Sequence, residues 1–117
     1  MKHLIIINEQ PYGSEKPYNA LRLAMQIQRD IPGETVWIFL MADAASCALK
    51  DQKTPNGYYN IERMLKAVIL GGGEVRICGS CAEARGISKL PLVEGSSLST
   101  MAELTKLYME ADKVISF

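Results

Sequence analysis

Glu74-Val75-Arg76-Ile77-Cys78-Gly79-Ser80-Cys81-Ala82-Glu83-Ala84-Arg85-Gly86 is a β-branched alternating run that stops at a cysteine and passes through Gly-Ser into a helix-compatible segment. That reading puts Cys78 at the carboxyl end of a strand. In open α/β sheets the crevice outside such strand ends is where ligands bind, so a thiol there is placed for chemistry. Immediately upstream, Gly71-Gly72-Gly73 follows a helical pattern and precedes the strand. This is the reverse of the order a phosphate-binding loop requires, and the run reads as a helix stop.

Working outward, Ile61, Met64, Leu65, Val68 and Ile69 form an apolar stripe at helical spacing, entered through Tyr58-Tyr59 and the polar loop from Lys50 to Gly57. Before that loop, Glu34 to Met41 is the most strand-like segment, apolar without alternation from Val36 to Met41, as a strand buried on both faces requires. Asp43 then reads as the N-cap of a short helix from Ala44 to Leu49. His3 to Asn8 is another two-sided strand, followed by the loop Glu9 to Glu15. A helix follows from about Pro17 to Asp30, with Ala20, Leu23, Ala24, Ile27 and Ile31 on one face and Pro32-Gly33 as its stop.

Downstream of the cysteines, Ile87 to Val93 reads as an irregular or edge segment because Pro91 opposes a central strand. Thr100-Met101-Ala102-Glu103 has capping-box spacing and opens a helix ending near Asp112, and Val114 to Phe117 is a terminal strand. Strands alternating with helices predict an α/β fold with a mainly parallel sheet, of about five strands, between helix layers.

The 117 residues suit one domain, 1–117. Lys and Arg balance Asp and Glu at 13 each without a run of either sign, which argues against a nucleic-acid partner. No apolar stretch approaches the ~18 residues of a membrane span, and the first residues lack the long hydrophobic region of a secretory signal. The expected location is the cytoplasm. In that reducing compartment 3 cysteines do not make a disulfide framework, and a close pair points to redox, sulfur or metal chemistry.

A thiol reacts as its thiolate, so Cys78 needs amides or a cation to draw its pKa below the ~8.5 of a free cysteine. The amides of Gly79 and Ser80, the turn that follows and Arg85 are the candidates. A cysteine finishing a buried strand can also be a small apolar packing residue. Cys81 is the partner for a disulfide or persulfide on Cys78, and Cys47, in an Ala-rich turn, reads as packing. Zinc would need about four ligands, and beyond the pair the chain offers only Cys47 and His3, so neither a metal nor a cofactor is expected. His3 belongs at the opposite end of the sheet. Tyr12, Gly13 and Ser14 lie in a second strand-end loop, expected on the same rim as Cys78, and are candidate binding residues. No Ser/His/Asp set or supported carboxylate pair gives hydrolase chemistry a foothold.

Pro11-Tyr12-Gly13-Ser14-Glu15, Leu21-Arg22-Leu23-Ala24, Phe39-Leu40-Met41 with Asp43-Ala44, Gly57-Tyr58 with Asn60-Ile61, Cys78-x-x-Cys81, Arg85-Gly86-Ile87-Ser88 and Ala111-Asp112-Lys113-Val114 together resemble the DsrE/DsrF-like proteins, most nearly the YchN-like branch. The resemblance spans almost the whole chain. It implies a three-layer α/β/α sandwich and a cytoplasmic homo-oligomer, a hexamer. From the sulfur-relay members it implies a strand-end cysteine that accepts and passes on sulfane sulfur as a persulfide, exchanged with donor and acceptor proteins. That role maps onto Cys78 as the catalytic cysteine of a sulfurtransferase, with Cys81 beside it. The alternatives are a non-catalytic oligomeric module that binds a small ligand at the strand ends, and a Cys-x-x-C dithiol redox protein.

Overall fold

The computed structural model describes residues 1–117. In chain order it contains β1 (Lys2–Ile7), α1 (Lys16–Asp30), β2 (Thr35–Leu40), a 3-10 helix (Ala42–Ala48), α2 (Ile61–Leu70), β3 (Glu74–Cys78), α3 (Gly79–Ala84), β4 (Ser96–Ser99), α4 (Met101–Glu110) and β5 (Lys113–Ser116). The strands form one parallel sheet in the order β4-β3-β2-β1-β5. Every carboxyl strand end therefore lies on one rim. The chain steps from β1 outward to β4 and then returns past β1 to β5, so the order reverses between β1 and β5.

Residue parity divides the core. On one face Ile5, Ile7, Val36, Ile38, Leu40, Val75 and Ile77 pack against α1, α2, the 3-10 helix and Ala82 of α3 in a cluster of 19 buried residues. On the other, Leu4, Trp37, Phe39 and Cys78 form a cluster of 6 buried residues with Leu104 and Leu107 of α4. At ~1.5–3 kcal/mol for each fully buried large apolar side chain, the first face carries most of the hydrophobic stabilisation. The second layer is one helix thick, and it is the layer that Cys78 faces.

Local chemistry explains most boundaries. The Asn60 side chain accepts the Arg63 N–H (3.0 Å) and caps α2, whose last turn ends at Gly71 as the glycine run requires. Thr100 accepts the Glu103 N–H (3.2 Å), but the Glu103 carboxylate turns away to Ser99 and Arg76, so only half of a capping box forms. Asp43 does not cap: the residue before the 3-10 helix is Met41, without a side-chain cap bond. Asp43 lies inside the first turn, where its carboxylate faces outward to Arg85.

β4 is Ser96–Ser99, a stretch whose polar residues give no strand signal by themselves. Tertiary pairing makes it one, with Ile77 beside Leu98 and Cys78 beside Ser99. Gly95 admits the chain to this strand at φ 88°, and a Cβ there would stand 2.9 Å from Ile69 Cγ2. Residues 87–93 are irregular apart from a single antiparallel bridge between Leu49 and Leu92.

Candidate functional site

β3 delivers Cys78 to the rim between the ends of β2 and β4, and the chain turns at once into α3 with Cys78 as the residue before its first turn. The Cys81 N–H donates to Cys78 Sγ at 3.4 Å, and the Ser80 hydroxyl lies 3.3 Å from the same sulfur. Gly79 passes so close to β4 that an added Cβ would sit 3.2 Å from the Ser99 carbonyl oxygen, which holds the turn against its neighbour strand.

Cys78 is only 8% exposed. Burial alone would raise its pKa, but hydrogen bonds from the Cys81 thiol, the Ser80 hydroxyl and the Cys81 and Ser80 amides outweigh it, and the thiol is held below its ordinary value. Cys81 moves the other way. Burial and its donation to Cys78 raise it, against smaller opposing effects from the Ala42 amide and Arg85. The two sulfurs thus form an unequal pair, Cys78 the more readily ionised and Cys81 the less. Cys47 is different again, since burial pushes it up to about 12 and its sulfur meets only the Glu9 carbonyl at 3.7 Å.

Arg85 does not hold the Cys78 sulfur. Its Nε and Nη2 donate to Asp43 Oδ1 at 2.9 and 2.8 Å, and its Nη1 donates to the Cys81 carbonyl at 3.1 Å. The cation therefore acts on Cys81. Sequence reasoning missed this because Asp43 and Arg85 are 42 residues apart. It also missed the Ala42 amide, which donates to Cys81 Sγ at 3.2 Å from a residue with φ 51°.

The Tyr12 loop serves another region. The Tyr12 hydroxyl donates to Gln52 Oε1 (2.6 Å) and accepts the Ile61 N–H (3.1 Å), and its ring leans on Tyr58 and Tyr59 at centroid distances of 6.4 and 5.5 Å. Ser14 Oγ accepts the Lys16 N–H (3.2 Å) at the start of α1, and Gly13 supplies a turn at φ 117°. These bonds tie the loop to α1, α2 and the 50–60 segment, while Gly79, Ser80 and Arg85 stay with the cysteines. His3 lies at the amino end of β1, 3.7 Å from Glu34 and away from the cysteine rim. Two concavities occur, and neither is lined by a cysteine. One of about 610 Å³ runs between α1 and β5, and one of about 440 Å³ lies beside Arg76 and Glu103.

The model of the DsrE/DsrF-like family matches residues 1–117. Protein YchN of Escherichia coli K12 is 40% identical over 99% of this chain and 98% of its own, and protein MJ0989 of Methanocaldococcus jannaschii is 39% identical over the full length of both. The crystal structure of the Escherichia coli YchN protein superposes with a TM-score of 0.94 over 99% of this chain and 98% of that one. MTH1491 from Methanobacterium thermoautotrophicum has the same fold at 12% identity, with a TM-score of 0.80 over 99% and 98% of the two chains. With a family model spanning every residue, a relative at 40% identity along its length and the same parallel sheet, the chain belongs to the DsrE/DsrF-like family.

Proposed function

We propose that Cys78 carries sulfane sulfur as a persulfide, taking it from a donor persulfide and giving it to an acceptor thiol. The observation that supports this reading is the donor set around one sulfur, in which the Cys81 amide at 3.4 Å and the Ser80 hydroxyl at 3.3 Å converge on Cys78. These groups favour the thiolate, the form that attacks sulfur. In loading, the Cys78 thiolate attacks the outer sulfur of R–S–SH. The new S–S bond forms on Cys78, and R–S⁻ leaves with the electron pair of the broken bond. In unloading, an acceptor thiolate attacks the outer sulfur on Cys78 and the Cys78 thiolate departs, stabilised by the same donors. Membership of a family that includes sulfur-relay proteins supports the assignment.

A second reading rests on the nearness of Cys81. If its thiolate attacks the inner sulfur of the Cys78 persulfide, HS⁻ leaves and a Cys78–Cys81 disulfide forms, which a dithiol must then reduce by two electrons. The protein works in the cytoplasm on this proposal, as a homo-oligomer with donor and acceptor partners. Exposed Tyr58, half uncovered in the isolated chain, suits an aromatic interface anchor.

Intact-mass measurement after incubation with polysulfide tests the assignment. One reducible sulfur should add to the wild-type protein and to Cys47→Ser, and none to Cys78→Ser. Labelling that survives Cys78→Ser would remove the carrier role. Light scattering at micromolar concentration should give several times the 12.9 kDa chain mass.

A further inference from the structure

The start of the 3-10 helix and the end of α3 are joined by two independent contacts. The Ala42 N–H meets Cys81 Sγ at 3.2 Å, and the Arg85 guanidinium bonds both the Asp43 carboxylate, at 2.8 and 2.9 Å, and the Cys81 carbonyl, at 3.1 Å. Ala42 stands at φ 51°, a left-handed conformation that a non-glycine residue keeps only where its surroundings hold it. Both contacts converge on Cys81, whose amide in turn donates to Cys78 Sγ at 3.4 Å.

We propose that Asp43 and Arg85 are positioning residues for Cys81, holding α3 against the 3-10 helix so that the Cys81 amide stays on the Cys78 sulfur and the Cys81 sulfur stays against the Ala42 amide. The inference rests on reading Cys78 as the reactive sulfur. It adds that the division of labour between the cysteines is set from the end of β2, by residues that touch neither substrate nor the reacting atom. Arg85 is a fork suited to this task. Nε and Nη2 fasten the carboxylate while Nη1 fastens the carbonyl, so one side chain fixes α3 against the 3-10 helix. A lysine has no such fork. Asp43 projects into solvent, so substitution there leaves the core intact.

The prediction is a pair of opposite changes. Loosening the clamp lets the Cys81 amide leave the Cys78 sulfur and the Cys81 sulfur leave the Ala42 amide. Cys78 then loses a donor and alkylates more slowly, while Cys81, half-buried in the clamped junction and now uncovered, alkylates faster. Asp43→Asn and Arg85→Gln should each slow iodoacetamide labelling of Cys78 about threefold or more near neutral pH, and Asp43→Asn, which keeps the Arg85 charge, should speed that of Cys81, read by peptide mass mapping. Asp43→Glu should recover most of the wild-type ratio, and Arg85→Lys should not. Unchanged rates, or both cysteines of Asp43→Asn moving in the same direction as general loosening would make them, would overturn the proposal. The assay uses no sulfur donor, so failure of the persulfide reading shows in the polysulfide experiment and failure of the clamp shows here.

Discussion

Tyr12→Phe decides whether the Tyr12 loop belongs to the cysteine chemistry or to the scaffold. Removing the hydroxyl takes the acceptor from the Ile61 N–H, a first-turn amide of α2 on a fully buried residue, and the donor from Gln52 Oε1. A buried donor left without a partner costs ~1–3 kcal/mol, and the Gln52 amide keeps its other bonds, so the loss should be about 2 kcal/mol. Unfolding entropy of about 2.1 cal/mol/K per residue turns that into a fall in Tm of about 8 °C for a chain of 117 residues. Circular dichroism at one fixed protein concentration reads it, with urea midpoints as the check that the slope is unchanged. The Cys78 alkylation rate should stay at the wild-type value. A Tm within about 2 °C of wild type would refute the accounting, and a slowed Cys78 at unchanged Tm would return Tyr12 to the site.

Gln52→Ala should cost more than Tyr12→Phe, on the order of 2–4 kcal/mol by urea denaturation, because the Gln52 side chain also donates to the Cys47 and Leu49 carbonyls at 2.9 and 2.8 Å. Glu62 gives a pH dependence. Burial would raise its pKa, but the Gln52 and Asp51 amides and Lys66 outweigh that and hold it below the ordinary 4.5, so its contribution is full above that value and is lost as pH falls through the lower, folded one. Glu62→Gln should therefore flatten the acid side of the stability curve, and a curve of unchanged shape would show that another carboxylate governs it. Cys47, fully buried and pushed up to about 12, should resist iodoacetamide in the native protein and react only at the rate of unfolding. Labelling of Cys47 that keeps pace with Cys78 would contradict that burial.

The strands β1 and β2 are legible because parallel strands covered on both faces leave continuous apolar runs, and a run such as Val36 to Leu40 has few other uses. β3 is legible as the alternation of Val75 and Ile77 that stops at Cys78. β4 is not, since Ser96-Ser97-Leu98-Ser99 has neither period nor propensity. It becomes a strand because β3 offers an open edge and Thr100 starts a helix beside it. The same division holds at the site. Cys78, Ser80 and Cys81 could be found together because a strand end followed by a turn is a local pattern. The Asp43–Arg85 clamp and the Tyr12–Gln52–Ile61 staple could not, because they depend on which loops the sheet order brings side by side. Arg85 was recognisable as a useful charge, but its address was wrong by one cysteine. Tyr12 was recognisable as a rim residue, but α2 and the 50–60 segment claim its hydroxyl.

The placement of Cys78 on the thin face reconciles two demands that pull against each other. In the carrier role proposed for it, Cys78 must hold its sulfur away from water and stray thiols, and at 8% exposure it is so held, packed with Leu4, Trp37, Phe39, Leu104 and Leu107. Burial of that kind alone would neutralise the thiol and stop the chemistry. The remedy is local. A strand buried along its length ends at Cys78, and the next residues turn sharply enough for the Ser80 hydroxyl and the Cys81 amide to reach back to the sulfur within 3.3 and 3.4 Å. Moving the cysteine one residue earlier, to position 77, would point it into the thick core among Leu40 and Ala82, where no such donors converge. The alternation of β3 thus does for the chemistry what it does for the core. Val75 and Ile77 build one face, while Cys78 is left at the end of the other, where burial and hydrogen-bond donors meet on the same atom.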